Sequence, residues 1–138
     1  MPSAKLPHDH HSAIEQSFDH MPDEEAFAAA AGLFKLLSDQ TRLRLFWLLC
    51  HCEECVLNLS VMLDMSSPAL SHHLKLLKAC GLVVSRREGK EVYYRASDSA
   101  RAQALHQITE DVAEIACPKY PKGAWGGDRK APQFSTSC

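Results

Sequence analysis

No stretch of this 138-residue chain approaches the run of about 20 apolar residues that a membrane-spanning helix needs. The N-terminus, MPSAKLPHDHH, lacks the charged-then-apolar layout of a secretory signal. There is no internal repeat, no glycine-rich phosphate loop and no convincing nucleophile–base pair. Together these absences lead to the expectation of a soluble, cytosolic protein that is not an enzyme. Nor does one sign of charge dominate: 15 Lys and Arg stand against 17 Asp and Glu, a net charge of −2. That total does not exclude a nucleic-acid partner, because the distribution of charge matters more than its sum.

The chain does have six cysteines and 46% hydrophobic residues. Without an export signal, the cysteines point to reduced thiols, metal ligation or redox sensing rather than to a disulfide framework. The length fits one domain of about a hundred ordered residues with loose ends. Residues 1–21, polar and histidine-bearing, are expected to form a flexible arm, 22–117 the folded domain, and 118–138 a disordered tail.

The most telling stretch is Ser66–Arg95, SSPALSHHLKLLKACGLVVSRREGKEVYYR. Ser66 is a good N-cap, and Pro68 falls in the first turn, where a missing N–H costs little. Leu70, Leu74, Leu76 and Leu77 mark an inward face at helical spacing. Ser67, Ser71, His72, Lys75 and Lys78 are left on or beside the outward face. Gly81 is a natural C-cap, and VVSRR and EVYYR around EGK spell a β-hairpin. Serine, histidine and lysine on an exposed helix are donors that reach base edges and phosphates. Arg86, Arg87 and Lys90 at a hairpin tip suit the neighbouring backbone. The candidate DNA contacts are thus Ser66, Ser67, Ser71, His72, Lys75, Arg86, Arg87 and Lys90. The segment carries six basic and two acidic side chains, a local charge of +4.

Around it the pattern is helical, so the expected class is mainly α with a small β-hairpin wing. Pro22, Asp23, Glu24 and Glu25 open a helix with body AFAAAAGLFKLL that ends near Ser38. Asp39 begins a second, DQTRLRLFWLLC, and VLNLSVMLD (56–64) a third. A tight turn at Met65 then makes the third helix and the Ser66 helix a helix-turn-helix. Ser97 or Asp98 caps a last helix running to about Ala116. Its Leu105, Ile108, Val112 and Ile115 form a stripe for packing on another helix, in the chain's own core or in a second copy. A homodimer is favoured, because two recognition helices reading half-sites one turn apart need a two-fold axis.

The second feature is CHCEEC, Cys50–Cys55: three thiols and an imidazole, a soft-metal ligand set for Zn(II), Cd(II), Pb(II), Cu(I) or As(III). In a helix, Cys52 and Cys55, or His51 and Cys55, would share a face while Cys50 pointed away from Cys52. A break between helices is expected here, which leaves those faces open. Cys50 extends the apolar run LFWLLC and fits a small buried hydrophobe as well as a ligand. Cys80 is expected to be buried packing, and Cys138 has no assigned role.

LFKLLSDQTRLRLFWLL, together with the patterns S-x-H-L-x-x-L and G-L-V-x-x-R-x-G-K-x-V-Y-Y, resembles the ArsR/SmtB family of metal-responsive winged-helix repressors over Leu33–Ala116. The resemblance implies a homodimer, joined through its N- and C-terminal helices, that holds a double-stranded operator and lets go when an inducer binds. It also singles out Cys55, which falls where many relatives carry the first cysteine of an E-L-C-V-C-D-L box. Here the box reads EECVLNL, so Leu57 replaces the second family thiol. Cys52, at the usual glycine of the preceding turn, is the candidate replacement, and Cys117 in EIACPK the third. The metal site expected on this basis is Cys52, Cys55 and Cys117. His20, His8, His10 and His11 are arm residues that either solvate a tail or add a ligand. The family's other zinc site lies on the last helix, but Asp98, His106, Asp111 and Glu114 do not reproduce it in register. His106 is therefore expected at the surface.

Three alternatives stand beside the metal reading, one of them a winged helix that binds protein and shows no salt-dependent affinity for its own upstream DNA. A thiol redox sensor on the same scaffold would use a reversible disulfide, although Glu53 and Glu54 raise neighbouring thiol pKa values and disfavour it. A zinc hydrolase is disfavoured because ligands packed into six residues leave little room for an open substrate position.

Overall fold

The computed structural model describes residues 20–115, together with Pro7 and His8. The expected arm and tail, with Cys117 and Cys138, lie almost wholly outside the described residues. The chain divides into two units at Lys35/Leu36. Helix α1 (Glu24–Leu37) opens with Glu24 and Glu25 in its first turn, where acids complement the helix dipole. Asp23 Oδ1 accepts from the Ala26 N–H at 2.9 Å, capping the start of the helix.

In the second unit α2 (Gln40–Leu49) is capped by Asp39, whose carboxylate accepts from Arg42 N. It is followed by β1 (Glu54–Cys55), α3 (Val56–Leu63), α4 (Ser67–Ala79), β2 (Val83–Glu88), β3 (Glu91–Ala96) and α5 (Ala100–Ala113). Helix α3 ends in a Schellman turn. Asp64 takes a left-handed φ of 51°, the Met65 N–H donates to Ser60 O at 3.0 Å, and the Asp64 N–H to Val61 O at 3.3 Å. Three residues then lead into α4, with Ser66 as its N-cap and Pro68 in the first turn. Helix α4 closes the same way on Gly81, φ +79°, with Leu82 N–H donating to Leu77 O at 3.1 Å. Helices α3 and α4 pack together as the helix-turn-helix expected from the sequence.

The hairpin tip is Gly89–Lys90. Positive φ at Gly89 (62°), and not at Lys90, is the pattern of a type II′ turn, whose twist suits paired strands. The sheet has three antiparallel strands in the order β1-β3-β2, with Cys55 opposite Tyr93 and Glu54 opposite Tyr94. Strand β1 was not expected: two residues are too few to show a period.

The core of this unit comprises Leu45, Phe46 and Leu49 of α2, Leu59 of α3, Leu70, Leu74 and Leu77 of α4, and Leu82 and Val83. The inward stripe of the recognition helix thus lies where its spacing put it, with Leu76 half-buried at its margin. The last helix starts slightly later than expected, capped by Ser99, whose hydroxyl accepts from Ala102 N at 3.1 Å. Replacing fully buried Leu77 by Ala should cost about 2–5 kcal/mol. Urea unfolding should show this as a lower midpoint at unchanged slope.

Candidate functional site

On α4, Ser66, Ser71, His72 and Lys75 flank the start and outer side of the helix. Ser71 and Lys75 are exposed, whereas Ser67 and the other first-turn residues vary in exposure along the cap. At the wing tip Arg87 and Lys90 are exposed. Arg86 is engaged elsewhere. Its Nη2 and Nε lie 2.7 and 2.8 Å from Glu53 Oε1, its Nη1 lies 2.7 Å from Glu88, and its guanidinium sits 4.8 Å above the centroid of the Tyr93 ring. Hydrogen bonds to Glu53 and Glu88 push its pKa further up. Arg95 Nε also approaches Glu53, at 3.7 Å. Glu53, in the segment between Cys52 and Cys55, therefore ties that segment to both strands of the wing.

Two residues not singled out in the sequence position the recognition helix. Arg42 donates from Nη1 to Leu36 O at 2.8 Å and from Nε to His73 Nδ1 at 3.3 Å, linking α2 to α4. Burial, then the Arg42 charge, lowers the His73 pKa. His73 is half-buried, beside the outward-facing His72.

The cysteine segment is a break between helices, as expected. Cys50 is the C-cap of α2 and is 2% exposed, a packing residue. Cys52 lies in the connection, and Cys55 ends β1 at the N-cap of α3; both are buried. Burial, reinforced by Glu54, pushes the Cys52 thiol up to about 12. Glu53, committed to arginine, is not among the causes. Cys80 is half-buried rather than buried, its thiol donating to Leu77 O at 3.2 Å.

The expectation that His106 lies at the surface is overturned: it is 3% exposed. Its face of α5 packs toward α2, where His51 supplies a polar partner that makes burial tolerable. Among the described residues, the three potential metal ligands that converge are His51, His106 and Glu110, with ligand atoms within 4.8 Å of one another. The sequence signal was His-x-x-x-Glu, two ligands one turn apart on one helix face. Asp98 instead pairs with Arg95 at 3.4 Å, and Asp111 accepts from Gln107 at 3.0 Å.

A helix-turn-helix with an exposed polar face on its second helix, followed by a basic wing, defines a winged helix-turn-helix DNA-binding domain. Residues 39–85 match the model of the bacterial regulatory protein, arsR family. The chain is 43% identical over 86 residues to the arsenical resistance operon repressor of Escherichia coli, spanning 62% of this chain and 74% of that protein. It is also 43% identical over 67 residues to the cadmium resistance transcriptional regulatory protein CadC of Listeria innocua, spanning 48% and 56%. Among solved structures it is similar to the homodimeric winged helix-turn-helix DNA-binding domain Mb0332 of Mycobacterium bovis. The TM-score there is 0.59 at 30% identity, over 68% of this chain and 88% of that one. The chain belongs to the ArsR/SmtB family of DNA-binding transcriptional regulators.

Burial first, then the neighbouring His106, depresses the His51 pKa from 6.5 to about 4, against the opposing pull of Glu110. Between these values the unfolded chain takes up a proton that folded His51 refuses, so acid favours unfolding. Stability should be complete above pH 6.5 and fall by up to about 3 kcal/mol toward pH 4. Urea midpoints of the chelator-treated protein across this window should show the loss, and His51→Gln should flatten it.

Proposed function

We propose that this chain is a homodimeric repressor that holds a double-stranded operator and releases it when a soft metal or metalloid ion binds its thiolates. The observation that carries the reading is the position of the thiol segment. Cys55 is paired into the wing sheet opposite Tyr93, and Glu53 between the two thiols grips Arg86 and Arg95. A ligand that re-orders Cys52 and Cys55 must therefore strain the wing or the start of the helix-turn-helix. Cys117 is the proposed third ligand and lies outside the described residues. The names of the relatives, arsenical and cadmium resistance, support Zn, Cd, Pb or As as the inducer class. The raised Cys52 thiol works against the redox alternative, because thiolates are the species that peroxide attacks.

The DNA contacts we assign are Ser66, Ser67, Ser71, His72 and Lys75 on α4, and Arg87 and Lys90 on the wing. Arg86 reaches the backbone only by sharing its guanidinium with Glu53 and Glu88. Dimerisation is supported by apolar side chains left open on α5, where Ile108 and Val112 are 44 and 79% exposed, and just past its end at Ile115, 42% exposed. Phe27 and Phe34 are similarly open on α1.

Fluorescence anisotropy with the chain's own upstream DNA tests the reading. The metal-free protein should bind, and the effective ion should weaken binding about 5–150-fold, a coupling of about 1–3 kcal/mol. The Cys52→Ser/Cys55→Ser double variant should bind DNA equally well yet lose that response; an unchanged response refutes the thiol site. Peroxide-induced release that survives chelation would favour the redox alternative. Lys75→Ala should weaken binding to all sequences and reduce the salt slope by about 1.

A further inference from the structure

We infer that His51, His106 and Glu110 form a second cation site, separate from the thiols, that takes a borderline divalent ion of the zinc class through Nε2, Nε2 and Oε1. The three side chains are 5, 3 and 5% exposed, and they come from opposite ends of the second unit's sequence. His51 follows α2, whereas His106 and Glu110 stand one turn apart on α5. His51 Nε2 is 3.1 Å from His106 Nε2 and 3.4 Å from Glu110 Oε1, and His106 Nε2 also contacts Glu110 Oε1. Around a tetrahedral ion with bonds of about 2.0–2.1 Å, ligand atoms stand about 3.3 Å apart. The two longer separations already lie close to that value.

The protons of the trio point the same way. Three polar atoms meet pairwise, and a neutral imidazole carries one ring proton. With Glu110 as a carboxylate and both Nε2 atoms protonated, two N–H groups face each other across the His51–His106 contact. With only one protonated, the bare Nε2 meets the carboxylate as another lone pair. No tautomer then satisfies all three contacts, whereas one cation satisfies three lone pairs at once. Buried polar groups left mismatched are costly in a low-dielectric interior. Trp47, whose ring packs on His51 at 4.4 Å between centroids, adds a second sign of incompleteness. Its Nε1 is buried without a hydrogen-bond partner among the described residues.

Two imidazoles and a carboxylate suit zinc-like ions better than the softer Cd, Pb or As among the candidates for Cys52 and Cys55. The ion would clamp α5 to the end of α2, the helix whose Arg42 braces His73 on the recognition helix. At 100° per residue, the ligand face of α5 lies away from Ile108 and Val112, so occupancy leaves those apolar side chains open.

Long-range proton–nitrogen NMR of the 15N-labelled full chain carrying Cys52→Ser and Cys55→Ser, titrated with Zn2+, tests this directly. Ring signals are assigned by comparison with His51→Gln and His106→Gln. The expected result is that one equivalent moves the Nε2 resonances of both His51 and His106, while Glu110→Gln weakens that response at least about tenfold, a loss seen even for outer-shell partners. Zinc that moves only His8, His10, His11 or His20 through several equivalents overturns the proposal and leaves the trio as a hydrogen-bonded core element. Zinc binding to Glu110→Gln as tight as to its parent overturns it equally.

Discussion

The burial of three leucines on one side of a thirteen-residue helix governs the rest of this structure. Leu70, Leu74 and Leu77 are at most 1% exposed, on a helix that packs against α3 and β2. Burying such side chains stabilises the fold by about 1.5–3 kcal/mol each. Rotating α4 about its axis would forfeit this, so the helix has one allowed orientation. Ser71, His72 and Lys75 lie on its other side as a consequence. The reading head is thus aimed by the core, and any effector that redirects it must act through the elements that α4 touches.

Two such elements are polar. Arg42 joins α2 to His73, and Glu53 joins the cysteine segment to the wing through Arg86 and Arg95. Exposed ion pairs contribute little stability, typically below about 1 kcal/mol. Their value here lies in where they are. Glu53 is half-buried and shared by two arginines on adjacent strands, so a change of backbone at Cys52 or Cys55 is felt at both. A coupling of about 1–3 kcal/mol, enough for a regulatory response, is within reach of rearranging a few such contacts.

The buried polar trio at the junction of α2 and α5 has a different character. Its members are costly to bury singly and tolerable only together, which makes that junction sensitive to protons. The thiol segment starts at the same place, immediately after His51. Chemistry at the end of α2 thus reaches the wing on one side and the last helix on the other.

Much of this was legible in the residues themselves. Ser66, Pro68, the leucine spacing and Gly81 delimit α4, and Gly89 marks the hairpin tip, because caps, turns and periodic apolar faces are local properties written in a few adjacent side chains. Likewise the CHCEEC run declared its chemistry through its ligand types. What only the tertiary structure decided depends on residues far apart in sequence. His106 read as a surface histidine because its partner His51 lies 55 positions earlier. Arg86 read as a free cation until the fold set Glu53, 33 positions away, against it. Strand β1 exists only because β3 offers it an edge. Local chemistry determined the elements and the class of protein, whereas long-range packing determined which polar groups meet, since no one-dimensional pattern encodes a contact across the core.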